Sequence, residues 1–116
     1  MRFWDSSAIT PLLVVEADSA QRERQLADDA DMLVWFGTLT EVESSLARRK
    51  RAGELPAESE LRARRHLDQL SAHWTEVTPT TEVRARAIRL LRVHPLRAAD
   101  AFQLAAALIF CREQPQ

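Results

Sequence analysis

The chain has 116 residues, 46% of them hydrophobic and 28% charged, with a formal net charge of −1. That length supports one hydrophobic core and is too short for two. The near-cancelling charge excludes nucleic-acid binding by bulk electrostatics alone, while leaving room for a local basic patch. Only two glycines occur, Gly37 and Gly53, which excludes a P-loop and a dinucleotide fingerprint. A lone cysteine, Cys111, excludes an internal disulfide and suits a reducing cytoplasm. It is expected to be a small buried hydrophobe. No signal peptide is expected from MRFWDSSAI, which has an early acid and no long apolar run. No stretch approaches transmembrane length.

The opening MRFW is short and apolar and runs into DSS. This predicts a buried strand ending in residues that start a helix. Residues 8–17 read as a helix with Pro11 in its first turn and Ser7 or Thr10 as cap. Residues 18–30 read as a more polar helix capped by Asp18 or Ser19. DMLVWF, with five successive apolar residues, is the clearest strand, broken by Gly37 and Thr38. Residues 38–53 read as a helix capped near Thr38 or Thr40, with a basic end and a stop at Gly53. RKRAGELPAES is the expected exposed loop.

A further helix covers LPAESELRARRHLDQLSAHW, with Leu61, Leu67 and Leu70 on one stripe. TEVTP is a weak strand. Residues 80–94 form an amphipathic helix with Val83, Ala87, Leu90 and Leu91 as its apolar face, ended by Pro95. The last helix, Leu96 to Phe110, is apolar almost all round yet contains Asp100 and Gln103. Trp4, Trp35 and Trp74 lie on or beside strands and are expected in the core.

Strands alternating with helices predict an α/β fold with a parallel sheet. Sites in such sheets form at the carboxyl ends of the strands. Asp5 follows the first strand, and Glu41 lies in the first turn of the helix after the second. Asp100 lies in the first turn of the last helix. Three acids remote in sequence therefore have a route to one edge. Clustered carboxylates repel unless a cation neutralises them, and Mg²⁺ and Mn²⁺ prefer oxygen ligands. Such a site activates water and stabilises a phosphodiester transition state.

Each acid also has a plainer role. Asp5 is a helix cap in DSS, and Asp100 has Arg97 at i,i−3. Glu41 is an exposed first-turn acid, and Glu43 stands two residues on as its rival. Against the plain role for Asp100 stand the apolar residues around it, because burying an unpaired carboxylate is costly. Gln103 reads as a polar neighbour of the site or a helix-surface residue. The basic runs at Arg48, Arg49, Lys50 and Arg51, and at Arg62 to Arg65, suit RNA phosphate or a solvated face. His66, His73 and His94 lack the spacing of a zinc site.

Three segments together resemble a known family. FWDSSAI resembles the opening strand and acid of PIN-domain ribonucleases, the group that includes VapC toxins of toxin–antitoxin pairs. TEVESSLARR resembles that family's Glu-containing helix, and LRAADAFQLAAAL its Asp-containing last-helix motif. The resemblance spans Phe3 to Leu108. It implies a three-layer PIN-like fold, a central parallel sheet flanked by helices, in a single domain over residues 1–116. It also implies an Mg²⁺- or Mn²⁺-dependent endoribonuclease with Asp5, Glu41 and Asp100 as catalytic and metal-holding acids. Ser6 and Ser7 would support them, and Arg48, Arg49, Lys50 and Arg51 would contact RNA. A cognate antitoxin and a second copy of the chain are the implied protein partners. The family usually continues into another strand and helix carrying a fourth acid, and FCREQPQ ends without them. A C-terminally truncated domain is therefore expected. The competing expectation is an inactive module of this fold that binds an antitoxin or homodimerises.

Overall fold

The computed structural model describes residues 1–113, with side chains through residue 110. The side chain of Cys111 lies outside the described residues. Three strands form one sheet in the order β1 (Arg2–Phe3), β2 (Met32–Trp35), β3 (Thr75–Val77). Both pairings are parallel, with Phe3 opposite Leu33 and Trp35 opposite Val77. Parallel neighbours require crossover connections. Helices α1 (Ser6–Leu13) and α2 (Ser19–Asp28) join β1 to β2. Helices α3 (Thr38–Arg51) and α4 (Ala57–His73) join β2 to β3. Then come α5 (Thr81–Val93) and α6 (Ala98–Glu113).

Side-chain alternation along the strands divides the interior in two. Trp4, Met32 and Val34 pack with Ile9, Leu12, Val42, Leu46 and Leu67 on the face covered by the crossover helices. Trp35 packs with Val83, Ala87, Ala101, Ala105 and Ile109 on the face covered by α5 and α6. All four residues of β2 are buried, as a strand covered on both sides must be. The result is helices, sheet, helices: the three-layer α/β arrangement expected.

Several local expectations are corrected. The first helix starts at Ser6 and is capped by Asp5, not by Ser7 or Thr10. Pro11 therefore sits inside the helix, near its end, and the helix stops at Leu13. Helix α3 is capped by Gly37, and Thr38 is fully buried. Leu61 and Leu91 are exposed. Six residues separate Leu61 from Leu67, which at about 100° per residue puts them about 120° apart around the helix, so they do not share a face. Leu90 and Leu91 are adjacent, and only Leu90 packs inward. The loop between α3 and α4 is short, and its Leu55 is buried.

Gly53 ends α3 with a φ of +75°, where its missing Cβ avoids a steric penalty. Its N–H bonds to the Lys50 carbonyl and the Glu54 N–H to that of Arg49, a Schellman closure.

Candidate active site

The site forms where β1 and β2 hand the chain over to α1 and α3. Asp5 caps α1 by accepting the Ala8 N–H at 3.0 Å. The Ser7 hydroxyl bonds to both Asp5 oxygens at 3.0 Å. These contacts fix the carboxylate but use two protons against about four lone-pair sites. Asp5 is exposed and keeps capacity to accept more.

Asp100 lies in the first turn of α6. It is exposed, which removes the buried-charge argument made for it from its apolar neighbours. Those neighbours occupy other faces of the helix: Ala101 and Ala105 turn into the core while Asp100 faces out. Arg97 does not pair with it. Among the described residues Asp100 has no hydrogen-bond or ion-pair partner. Asp5 and Asp100 line one cleft of about 490 Å³, together with Ser6, Ser7, Arg22 and Gln103. The two acids thus line one cleft despite the chain between them.

Glu41, in the first turn of α3, is half-buried. Its Oε1 accepts the Ser6 hydroxyl at 2.9 Å. Gln103 Nε2 donates to Oε1 at 3.2 Å and to Oε2 at 3.3 Å. Glu41 lines an adjoining, larger cleft of about 790 Å³ with Ser6, Ser7, Ser44 and Arg48. Ser6 and Ser7 border both clefts and so connect the three acids. Glu43, the rival acid, is taken up in an ion pair with Arg64 at 2.7 Å.

Three carboxylates without a cation repel, and here two of them hold protein donors instead. Accordingly, no group of three His, Cys, Asp or Glu side chains among the described residues is arranged to hold a metal ion. The donor chemistry still suits a hard divalent cation. Asp5 and Asp100 offer exposed carboxylate oxygens to one cleft, and Mg²⁺ is commonly held by one or two carboxylates plus several waters.

Of the basic run, Arg49 pairs with Glu16 at 3.3 Å and Lys50 with Glu60 at 3.4 Å. Arg48 lines the Glu41 cleft, and Arg51 is exposed. Neither has an ion-pair partner among the described residues.

Gln103 is the residue that sequence reasoning undervalued. It is 7% exposed, and its Nε2 also donates to Thr38 Oγ1 at 2.9 Å. A Gln inside an apolar helix is the one available signal, because a buried amide requires partners. Gly37 matters through its size: a Cβ there would stand 2.8 Å from Trp35 Nε1. Trp35 cannot easily yield, being stacked on Phe102 with ring centres 5.1 Å apart.

A three-stranded parallel sheet lies between helix layers, and acids line the clefts at the carboxyl ends of its strands. The PIN-domain family model matches residues 2–110, and the chain belongs to that family. PIN domains are characteristically nucleases, which sets the coarse activity. No curated protein matches the chain. No helix among the described residues is long and apolar enough to cross a membrane.

Proposed function

We propose that the chain is a divalent-metal-dependent endoribonuclease, acting in the cytoplasm as the toxin half of a toxin–antitoxin pair. One observation carries the reading: Asp5 and Asp100 face a common cleft, and Asp100 has no protein partner there among the described residues. Two exposed carboxylates lining one cleft, one of them without a protein partner among the described residues, leave oxygens free for a hard divalent cation.

Asp5, Asp100 and Glu41 would together hold Mg²⁺ or Mn²⁺. When bound, the ion would lower the pKa of a coordinated water and neutralise charge developing on the phosphodiester. The protein's own groups do the rest. The Ala8 N–H and Ser7 hydroxyl keep Asp5 in place. Ser6 and Gln103 hold Glu41, whose carboxylate accepts a proton from the attacking water. Arg48 and Arg51, without ion pairs among the described residues, are the members of the basic run that reach RNA phosphate, while Arg49 pairs with Glu16 and Lys50 with Glu60.

The toxin assignment extends the likeness of LRAADAFQLAAAL to the VapC group. It is supported by exposed Leu104 and Leu108, one turn apart on α6. Leu104 also borders the acidic cleft, so an antitoxin or a second copy seated on this stripe would lie against the site.

The test is cleavage of single-stranded RNA in Mg²⁺, in chelator, and by Asp5→Asn. Cleavage that needs the ion and is lost in the variant supports the reading. Cleavage persisting in chelator, or undiminished in Asp5→Asn, sinks it. Absence of cleavage with intact antitoxin binding would establish the inactive module instead.

A further inference from the structure

We infer that Gln103 is the positioning residue of this site: its amide clamps the Glu41 carboxylate and ties the helix bearing Asp100 to the helix bearing Glu41. The inference deepens the reading of the acids as a metal-dependent site and rests on it.

The chemistry of the partners sets the amide's orientation. A carboxylate only accepts, so the group facing both Glu41 oxygens must be the NH₂. Its two protons also serve Thr38 Oγ1, on the same helix as Glu41. One amide therefore grips α3 at two points, a first-turn threonine and a first-turn glutamate. Thr38 is fully buried and cannot swing away. From the other side, Ser6 next to Asp5 donates to Glu41 Oε1. Asp5, Glu41 and Asp100 are thus linked in one chain of contacts: Ser6 to Glu41, Glu41 to Gln103, and Gln103 along one turn of α6 to Asp100.

An amide suits this position better than the alternatives. A carboxylate at 103 would set a fourth negative charge against Glu41. An apolar residue would leave Glu41 with a single donor and free to move under repulsion from its neighbours. Gln103 supplies donors without charge. Its Oε1 is buried and lacks a partner among the described residues, so the side chain is satisfied there on its Nε2 side alone. The contacts with Glu41 and Thr38 are what retain a polar amide inside α6.

The test uses the full chain and Mn²⁺ as probe, with bound ion counted from the loss of the free Mn²⁺ paramagnetic resonance signal. Gln103→Met keeps length and apolar packing and removes the donors. It should weaken Mn²⁺ binding by about 10–100-fold, the usual effect of losing a residue that orients a metal site from behind. It should also lower kcat for RNA cleavage with KM changed less than about twofold. The discriminating measurement is the pair: adding Gln103→Met to Glu41→Gln should cost little more than Glu41→Gln alone, because one acts through the other. Thr38→Val, which removes only the second grip, should show the same non-additivity to a smaller degree, and it serves if Gln103→Met fails to fold. Unaltered Mn²⁺ affinity in the folded variants, or effects that simply add, overturns the inference while leaving the nuclease reading intact. A wild-type chain that takes up no Mn²⁺ overturns both.

Discussion

Ser6 donates its hydroxyl to Oε1 of Glu41 at 2.9 Å across 35 positions of sequence, joining the start of α1 to the start of α3. The bond lies at the seam between the two clefts. Ser6→Ala removes one donor from a half-buried carboxylate, which costs about 1–2 kcal/mol. Chemical denaturation should show that loss with an unchanged m-value. If Glu41 works as proposed, cleavage should fall further than stability does, by about tenfold or more. A variant that loses stability and keeps its rate would assign Ser6 to the fold alone.

Asp5 and Asp100 should separate function from stability. Asp100 is exposed and unpartnered among the described residues, so Asp100→Asn should change stability by less than about 0.5 kcal/mol. It should nonetheless abolish the rise in Tm that Mn²⁺ produces in the wild-type protein through linkage. Asp5 has a second duty as the cap of α1. Asn caps as well as Asp, so Asp5→Asn should also be nearly neutral for stability, while Asp5→Ala should cost about 1 kcal/mol. Thermal melts of the three variants with and without Mn²⁺ decide it. A Tm rise that survives in Asp100→Asn would place the ion elsewhere.

The elements were legible where local chemistry decides them, and the site was legible where topology does. Met32–Trp35 is apolar, short and β-branched or aromatic, and it is the fully buried central strand. The Thr80 cap fits the helix start inferred from TTEV, its hydroxyl accepting the Val83 N–H. The turn of each parallel strand into a helix places Asp5 and Glu41 at one edge on general grounds. What the sequence could not disclose depends on contacts between distant residues. Gln103 finds Glu41 across 62 positions, and the apolar helix around it marks the amide as unusual without saying which partner it takes. Asp100 looked buried because its neighbours along the chain are apolar, yet a helix turns successive residues to different faces. Arg49 and Lys50 read as RNA contacts or as a face balanced by nearby glutamates, and the particular acids, Glu16 and Glu60, come from the segment before α2 and from α4.

Gly37 should resist even the smallest side chain. It caps α3 at a φ of −78°, which any residue can adopt, so the obstacle is contact rather than backbone conformation. A Cβ at 2.8 Å from Trp35 Nε1 forces the indole to shift, and the indole is buried and stacked on Phe102. Overpacking of this kind costs about 1–3 kcal/mol. Gly37→Ala should lower the denaturation midpoint accordingly and change the Trp35 fluorescence. The same glycine adjoins Glu41, 3.7 Å from the added atom, so cleavage should fall as well. Gly53→Ala makes the contrasting case. It meets no neighbour within 4 Å, and only its φ of +75° is strained, so its cost of about 1–2 kcal/mol should leave cleavage untouched. Equal effects of both substitutions on cleavage would show that the Gly37 contact has no bearing on the site.

Arg48 should matter to RNA in a way that Arg49 does not. Arg48 lines the Glu41 cleft without an acid partner among the described residues, whereas the Arg49 guanidinium is committed to Glu16. A phosphate contact releases counterions, so each one steepens the fall of affinity with salt by slightly less than one logarithmic unit. Arg48→Ala should therefore weaken binding of a single-stranded RNA and lower that slope by about 0.7, the value for a single strand. Arg49→Ala should leave the slope unchanged and act on stability alone, by no more than about 1 kcal/mol for a partly exposed pair. Fluorescence anisotropy across a salt series, in chelator so that no strand is cut, separates the two. An unchanged slope for Arg48→Ala would remove α3 from the RNA path and return its basic end to the role of a charge-compensated helix terminus.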